Sequence, residues 1–263
     1  MQYGFLGCGN MGGAVAKALS KTTTDILLTS KSVSSASRLA DELGCQSTES
    51  NLLVAQSCDV IFLAVKPQML RDVLTPLADV LQSRKPLLVS MAAGYTIAQL
   101  EEMVGGILPI IRIMPNTPVA IGKGMTTYCF NHLVTEDMIT DLLTALQASG
   151  RFDPIDEKLM DAASAAAGCS PAYAYMFIEA MADGAVSCGL PRAKAMEYAA
   201  AALAGAAEMV LASGKHPGAL KDAVCSPGGS TIAGVRALEE GGFRGAVMDA
   251  IIAAYQKGQQ LGK

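Results

Sequence analysis

Short apolar runs alternate with stretches of helical periodicity through the first half of the chain. The apolar runs are rich in β-branched residues and predict strands at residues 2–6, 26–30, 60–65, 87–90, 110–114 and 125–130. The run at 60–65 is apolar throughout, which is typical of a parallel strand buried on both faces. Between the runs, residues 34–43 predict a helix that ends at Gly44, and Pro67 opens another helix. Strands separated by helices predict right-handed crossovers in an open, doubly wound α/β sheet.

The pattern changes after about Asp153, where strand signals disappear and alanine, methionine and glycine dominate. Glycine and proline divide this second half into helix-length stretches. We therefore expect two domains, one over residues 1–153 and an all-α domain over residues 154–263. A helical domain this apolar predicts dimerisation through its helices, and packing within one chain is the alternative. The longest apolar stretch, at 195–214, contains two glutamates and is a poor candidate for a membrane span.

Composition excludes several classes of protein. With 51% hydrophobic and 17% charged residues, the chain has ample apolar surface for a core, which argues against disorder. The 20 basic and 24 acidic residues give a net charge of −4, which predicts no binding to nucleic acid or to an acidic membrane surface. The seven cysteines include no C-x-x-C pair, and the N-terminal residues do not resemble a signal peptide. Both observations predict reduced thiols and a cytoplasmic location. The two histidines belong to no ligand-like cluster, so we expect no metal site.

A glycine-rich turn follows the first predicted strand and opens the first predicted helix. Its pattern fits G-x-G-x-x-G, and a position between a strand and a helix is typical of a Rossmann-type dinucleotide site. Gly7 permits the tight turn, Gly9 lets the backbone approach the pyrophosphate, and Gly12 brings the helix against the strand. A structural turn with no ligand is the alternative. The candidate cofactor-binding residues here are Leu6, Gly7, Cys8, Gly9, Asn10, Met11 and Gly12.

The end of the second predicted strand bears on which cofactor is bound. An NAD enzyme usually has Asp or Glu there, whereas this chain has Ser30 and Lys31. A hydroxyl beside an ammonium suits a 2′-phosphate, so we expect NADPH to be preferred and NADH to remain possible. A solvated surface charge is the alternative for Lys31. Because the carboxyl ends of parallel strands face the ligand crevice, Lys66 is expected near the cofactor, with Met114 and Asn116 at the same edge. A solvated loop lysine is the alternative for Lys66.

A second glycine turn, at 226–231, lies between two predicted helices of the second half. One helix ends just before it, and the next begins near Thr231. The backbone N–H groups of Gly228, Gly229, Ser230 and Thr231 follow one another at a helix start, and such a nest suits a carboxylate. An interhelical turn with a Ser or Thr cap is the alternative.

Several motifs, taken in order along nearly the whole chain, resemble those of the pyrroline-5-carboxylate reductase family. They are GCGNMGG, FLAVKP, VSMAAG, RIMPNTP, GCSPAY, HPGALKDAVCSPGGSTI and EEGGFR. The resemblance implies a Rossmann domain followed by an all-α C-terminal dimerisation domain, with each active site near the dimer interface. It also implies reduction of pyrroline-5-carboxylate to L-proline by NAD(P)H in a homodimer, with a higher oligomer left open.

The resemblance also implies roles for individual residues. Thr231 matches the threonine whose hydroxyl approaches the ring nitrogen, and it is our candidate catalytic residue. Ser226, Gly229, Ser230 and Thr231 match the substrate-carboxylate loop of the family. The candidate substrate-binding residues are these four, Gly228 of the same turn, and Met114 and Asn116 from the edge of the sheet. Positions that match or adjoin cofactor-lining residues are Asn51, Ala64, Val65, Lys66 and Ala92. Cys225 and Ser230 are local variants within the loop, and neither removes a group that the chemistry requires.

The segment after GCSPAY separates this interpretation from its nearest alternative. Reduction of an iminium carbon needs a hydride donor held against it and little acid–base chemistry. A β-hydroxyacid dehydrogenase, which resembles this chain in domain layout, would require a lysine a turn or so beyond GCSPAY as proton donor to a ketone or alcohol. Residues 171–176 contain no lysine. The absence favours an imine over a ketone, and another imine substrate stays open. A non-enzymatic NADP-binding regulator is the second alternative, and it would have no reason to keep a carboxylate nest.

Overall fold

The computed structural model describes residues 1–260, and they form two compact units. One unit is Met1–Cys169 together with the segment that begins at Ala254, and the other is Ser170–Ala253. The division between the units lies after Cys169, beyond the domain boundary expected at residue 153. That boundary, which separates cofactor binding from substrate binding, stays a prediction.

The first unit is built on a single sheet, which confirms the doubly wound α/β fold. Within residues 1–260 its strands are β1 (Tyr3–Leu6), β2 (Ile26–Thr29), β3 (Gln46–Ser47), β4 (Val60–Leu63), β5 (Leu87–Ser90), β6 (Ile110–Met114), β7 (Gly124–Phe130) and β8 (Gly150–Pro154). Their order is β3-β2-β1-β4-β5-β6-β7-β8, and the first six are parallel. The order reverses direction between β1 and β4, and open α/β sheets bind ligands at such a switch point.

Helices of the first unit pack on the sheet and bury two cores. They are α1 (Asn10–Leu19), α2 (Val33–Leu43), α3 (Asn51–Ser57), α4 (Leu70–Leu74), α5 (Ala78–Arg84), α6 (Ile97–Met103), α7 (Glu136–Ala145) and α8 (Met160–Ala163). Because strand side chains alternate between faces, Ile61 and Leu63 belong to one core, while Phe62 belongs to the other. There its ring stacks on Phe5 at 4.4 Å between centroids.

Local sequence signals set several helix ends. Gly44 ends α2 in the left-handed conformation at φ +66°, as predicted. Pro67 opens a 3₁₀ turn, Pro67–Met69, which leads into α4 and confirms the predicted helix start. Thr96 begins α6 with a capping box, in which its hydroxyl accepts from the Gln99 N–H and the Gln99 side chain accepts from the Thr96 N–H.

The far edge of the sheet differs from the predicted series. The strand β7 runs antiparallel to β6, because residues 115–123 form only a short connection with one 3₁₀ turn, Thr117–Ile121, and no crossover helix. The prediction also missed β3 and β8, two short edge strands with few β-branched residues. The side chains of both strands are mostly exposed, so neither strand shows the apolar run that predicts a buried strand.

An ion pair between a buried arginine and a half-buried glutamate joins the middle of β6 to the segment that follows β8. Arg112 is 4% exposed, and its Nη1 donates to Oε1 of Glu157 at 2.6 Å. The same oxygen accepts the backbone N–H of Ile97 at 2.7 Å, at the start of α6. One carboxylate therefore holds a strand, a helix N-terminus and the chain beyond the sheet together.

The second unit is helical, as predicted. Its helices are α9 (Ser170–Ser187), α10 (Arg192–Ser213), α11 (Pro217–Ala223), α12 (Ser230–Glu240) and α13 (Phe243–Gly258). The residues of α13 from Ala254 onward belong to the first unit. Its fully buried residues are small, Ala182 on α9 and Ala195 and Ala199 on α10, and the larger side chains packed against them, Ile178, Val186 and Leu190, are only partly buried. Large apolar side chains remain exposed on all the longer helices, among them Tyr175, Met176, Tyr198, Met209, Leu211, Met248 and Ile252. Of the described residues, α10 is the helix long and apolar enough to cross a membrane by length and composition, and 11% of that stretch is buried.

Candidate functional site

Two glycines of the first turn are required by packing. Gly7 has φ +98°, and a β-carbon there would lie 2.9 Å from the carbonyl oxygen of Ala64. A β-carbon on Gly12 would lie 2.7 Å from the Gly7 oxygen and 2.8 Å from Cβ of Ala64. The start of α1 therefore lies directly against the end of β4, at the switch point of the sheet.

Gly9 lies in open space, unlike its two neighbours in the motif. Its backbone angles, φ −69° and ψ −166°, are accessible to any residue. No atom comes within 4 Å of a β-carbon built on it. Neither the backbone nor the packing of the protein accounts for glycine here, whereas a group bound close to the backbone would. The α1 N-terminus begins at the next residue, so its N–H groups present positive potential at the same place.

The remaining residues of the turn differ in their exposure. Leu6 is fully buried in the core, so its side chain takes no part in a surface site. Cys8 is half-buried, and its Sγ lies 3.3 Å from the carbonyl oxygen of Thr29. Burial raises the pKa of the Cys8 thiol, against an opposing effect of a hydrogen bond with Ser30. Asn10 is exposed and Met11 half-buried at the start of α1.

The end of β2 brings hydroxyl groups and an ammonium together. Ser30 is half-buried and Lys31 is exposed directly after the strand. Ser32 then precedes α2, and its hydroxyl lies 3.1 Å from that of Ser34 and 3.0 Å from that of Ser35. This hydroxyl cluster at a helix start suits a phosphate group. Ser34 and Ser35 were not among the predicted site residues, although their position just after Ser32 in the sequence could have indicated the cluster.

Asn51 is fixed beside the same strand end. Its Oδ1 lies 2.7 Å from the hydroxyl of Thr29, which is 2% exposed. Thr29 was not among the predicted site residues. It could have been identified as a polar side chain in an otherwise apolar strand. Asn51 opens α3, so this contact sets where α3 begins relative to β2.

The residues expected after β4 and β5 lie at the carboxyl edge of the sheet. Ala64 and Val65 are half-buried and Lys66 is exposed, directly after β4. Ala92 is 3% exposed, and its N–H donates to the hydroxyl of Ser90 at 3.3 Å. Ala64 contacts the glycine turn, so the parts assigned to the cofactor from β1 and β4 are brought together.

Asn116 lies just beyond β6, and both ends of its amide bind the protein. Its Oδ1 accepts the backbone N–H of Met125 at 3.0 Å, and its Nδ2 donates to the carbonyl oxygen of Ala167 at 3.0 Å. The side chain is 7% exposed. Met114, at the end of β6, is half-buried. Contact of either residue with substrate stays a prediction.

The second glycine turn lies between α11 and α12 in the second unit. Gly228 has φ +68°, and the N–H of Gly229 donates to the carbonyl oxygen of Ser226 at 3.0 Å. That N–H closes the turn, so one of the four donors expected for a carboxylate is engaged within the loop. Ser230 and Thr231 stand in the first turn of α12, where helix N–H groups have no intrahelical acceptor. Their side chains are exposed in the protomer.

Cysteines and groups of metal-binding side chains are the remaining places where chemistry could occur. All seven cysteines are described and free, with Cys58 and Cys129 buried. Burial raises the pKa of the Cys129 thiol to about 11. Over residues 1–260, no three side chains of His, Cys, Asp or Glu are grouped as metal ligands would be.

Comparison with known proteins gives the family. Residues 157–261 match a family described as pyrroline-5-carboxylate reductase dimerisation, and residues 2–94 match NADP oxidoreductase, coenzyme F420-dependent. The chain is 45% identical to pyrroline-5-carboxylate reductase of Escherichia coli, over 100% of this chain and 98% of that one. A crystal structure of the Plasmodium falciparum pyrroline carboxylate reductase with NADP bound superposes with a TM-score of 0.91 at 34% identity, covering 100% and 98%. A pyrroline-5-carboxylate reductase structure from Streptococcus pyogenes also gives 0.91 and 34%, covering 99% and 98%. This chain therefore belongs to the pyrroline-5-carboxylate reductase family.

Proposed function

We propose that this chain reduces L-1-pyrroline-5-carboxylate to L-proline with NADPH, the last step of proline biosynthesis. The observation that carries the proposal is the full-length match to the Escherichia coli enzyme of that name. The glycine turn at the sheet switch point, as the proposed cofactor site, and the turn at 226–231, as the proposed carboxylate site, support the proposal.

The cofactor proposal rests on the first unit. The open space at Gly9 and the N-terminus of α1 fit a pyrophosphate, and Ser30 with Lys31 suits a 2′-phosphate. NADPH is therefore the preferred cofactor, with NADH possible, and no metal takes part. When bound, NADPH would supply the hydride for the carbon of the C=N bond.

The chain's own groups orient the substrate. The first-turn N–H groups of α12, at Ser230 and Thr231, hold the carboxylate, and Ser226, Gly228 and Gly229 shape the turn around it. The Thr231 hydroxyl hydrogen-bonds the ring nitrogen, and Met114 contacts the ring. Because the protonated imine is already electrophilic, most of the rate comes from alignment.

The test follows NADPH oxidation with pyrroline-5-carboxylate, with NADH in parallel. We expect turnover with both cofactors and a higher kcat/KM for NADPH, because Lys31 interacts favourably with the 2′-phosphate. Binding of NADPH without turnover would support the non-enzymatic regulator, and turnover of a β-hydroxyacid would support the dehydrogenase. An equal or higher kcat/KM with NADH contradicts the cofactor proposal alone.

We also propose a cytoplasmic homodimer formed through the C-terminal helices. The large apolar side chains left exposed on α9, α10, α12 and α13 support it, since a second copy would cover them. The family description that matches residues 157–261 supports the same assignment, and a membrane is not needed to cover α10.

Sedimentation tests the dimer. At micromolar concentration we expect a dimer, and Leu211→Glu on α10 should shift it toward monomer, because it places a charge in a buried interface. Ile107→Glu is the matched control, since both side chains are exposed in the protomer, by 51% for Ile107 and 60% for Leu211. A stable wild-type monomer at this concentration contradicts the proposal.

A further inference from the structure

Asn116 holds three segments together at the edge where β5 and β6 end. The residue itself follows β6, its Oδ1 accepts from Met125 on β7, and its Nδ2 donates to Ala167. Both bonds measure 3.0 Å, and the side chain is 7% exposed. Loss of this amide would remove its bonds to the Met125 N–H and the Ala167 carbonyl oxygen, and so weaken the link between the three segments.

The third segment is a π-helical turn, Ser164–Gly168. Its wider winding is seen where the N–H of Cys169 donates to the carbonyl oxygen of Ser164, five residues back, at 3.0 Å. Such turns are rare and occur frequently at functional sites. The bond from Asn116 to Ala167 therefore fixes an irregular turn in place against the sheet.

The turn packs against a residue of the proposed substrate site. A β-carbon on Gly168 would lie 4.0 Å from Cγ of Met114, so the backbone of the turn passes close to that side chain. Ser90 and Arg112 are paired in the sheet, and Ala92 and Met114 each lie two residues beyond them. Ala92 belongs to one core of the sheet, and Met114 packs against the same core.

We propose that Asn116 is a positioning residue for the reduction: it fixes the spacing between Met114 and the turn Ser164–Gly168. The proposal rests on the proposed function, because Ala92 is a candidate cofactor-binding residue and Met114 is proposed to contact the substrate ring. Hydride transfer needs the reacting atoms held within a narrow range of distance and angle. Loss of the Asn116 bonds lets the turn and Met114 move, so turnover falls although no group that touches the substrate has been removed.

Asn131 provides a matched control at the opposite end of the same two strands. Its Nδ2 donates to the carbonyl oxygen of Leu108 at 2.6 Å, and its Oδ1 accepts the N–H of Ile110 at 3.3 Å. It therefore ties β6 to the residue after β7 just as Asn116 ties them at the other end. Its position is the amino end of β6, away from the edge that carries the proposed site.

The experiment compares Asn116→Ala and Asn131→Ala with wild type in the pyrroline-5-carboxylate assay. Both should lower Tm, but only Asn116→Ala should lower kcat, on the order of tenfold, and raise the KM for pyrroline-5-carboxylate. The KM for NADPH should stay within about twofold, since the proposed pyrophosphate and 2′-phosphate sites at the glycine turn and the end of β2 do not involve Asn116. Asn116→Asp keeps the acceptor for Met125 and loses the donor to Ala167, so it should show the same kinetic split even if the alanine variant does not fold.

Three results overturn the inference. Wild-type kcat and KM in either foldable Asn116 variant, or an equal loss of kcat in Asn131→Ala, contradict a positioning role while the proposed function stands. Wild-type protein that does not oxidise NADPH with pyrroline-5-carboxylate overturns the proposed function and this inference with it.

Discussion

Replacing Gly9 with alanine is expected to weaken NADPH binding by roughly tenfold to a hundredfold, a loss of about 1.4–2.8 kcal/mol. The β-carbon meets nothing within 4 Å in the protein, so the clash arises only with a group bound against the backbone. The angles at Gly9 suit alanine, and the change at a helix cap lowers Tm by only about 2–4 °C. Fluorescence titration of NADPH and thermal unfolding measure the two effects.

Gly12→Ala is the control that separates ligand contact from packing. Its β-carbon would lie 2.7 Å from the Gly7 oxygen and 2.8 Å from Cβ of Ala64, so the helix must move away from β4. Overpacking of this kind destabilises by about 1–3 kcal/mol, and Tm and NADPH binding should fall together. Wild-type NADPH affinity in Gly9→Ala would contradict a pyrophosphate at this turn.

Replacing Thr231 with alanine should lower kcat/KM for pyrroline-5-carboxylate by about tenfold or more. One hydrogen bond to the ring nitrogen is lost, which corresponds to roughly 1–3 kcal/mol of transition-state stabilisation. Thr231 is exposed in the protomer, so the fold of a single chain depends little on its side chain. Steady-state kinetics with saturating NADPH measure the change.

Thr231→Ser keeps the hydroxyl and serves as the control for the loss of the methyl group. It should retain kcat/KM within a few-fold of wild type, because the donor and acceptor remain. If Thr231→Ala turns over pyrroline-5-carboxylate as wild type does, the hydroxyl has no role in the reaction.

The parts of the fold that were predicted correctly are those that depend on patterns among residues close together in the sequence. The bounds of β5 and β6 agree with the prediction, because both strands are short, mostly apolar runs of the kind typical of buried parallel strands. The glycine turn between β1 and α1 was recognised from its spacing. The direction of β7 was not predicted, although the short connection of residues 115–123 carried that information.

What the sequence could not reveal is contact between residues far apart in the chain. Asn116 bonds to Ala167 across 51 positions, and Arg112 pairs with Glu157 across 45. No local period or motif marks either pair, since both depend on how the chain after β8 returns to β6. Asn116 was assigned to substrate from its place after a strand, and only the structure reveals that its amide binds backbone on two sides.

The exposed apolar helices of the second unit link folding to the amount of protein present. Its fully buried residues are small, Ala182, Ala195 and Ala199, so a single protomer gains little from burying apolar surface there. In the proposed dimer, association supplies the remainder, and the free energy of unfolding then rises with protomer concentration. A melting temperature for this protein therefore describes a solution at one concentration and not the chain alone. Dilution is therefore expected to lower the free energy of unfolding, as a denaturant does.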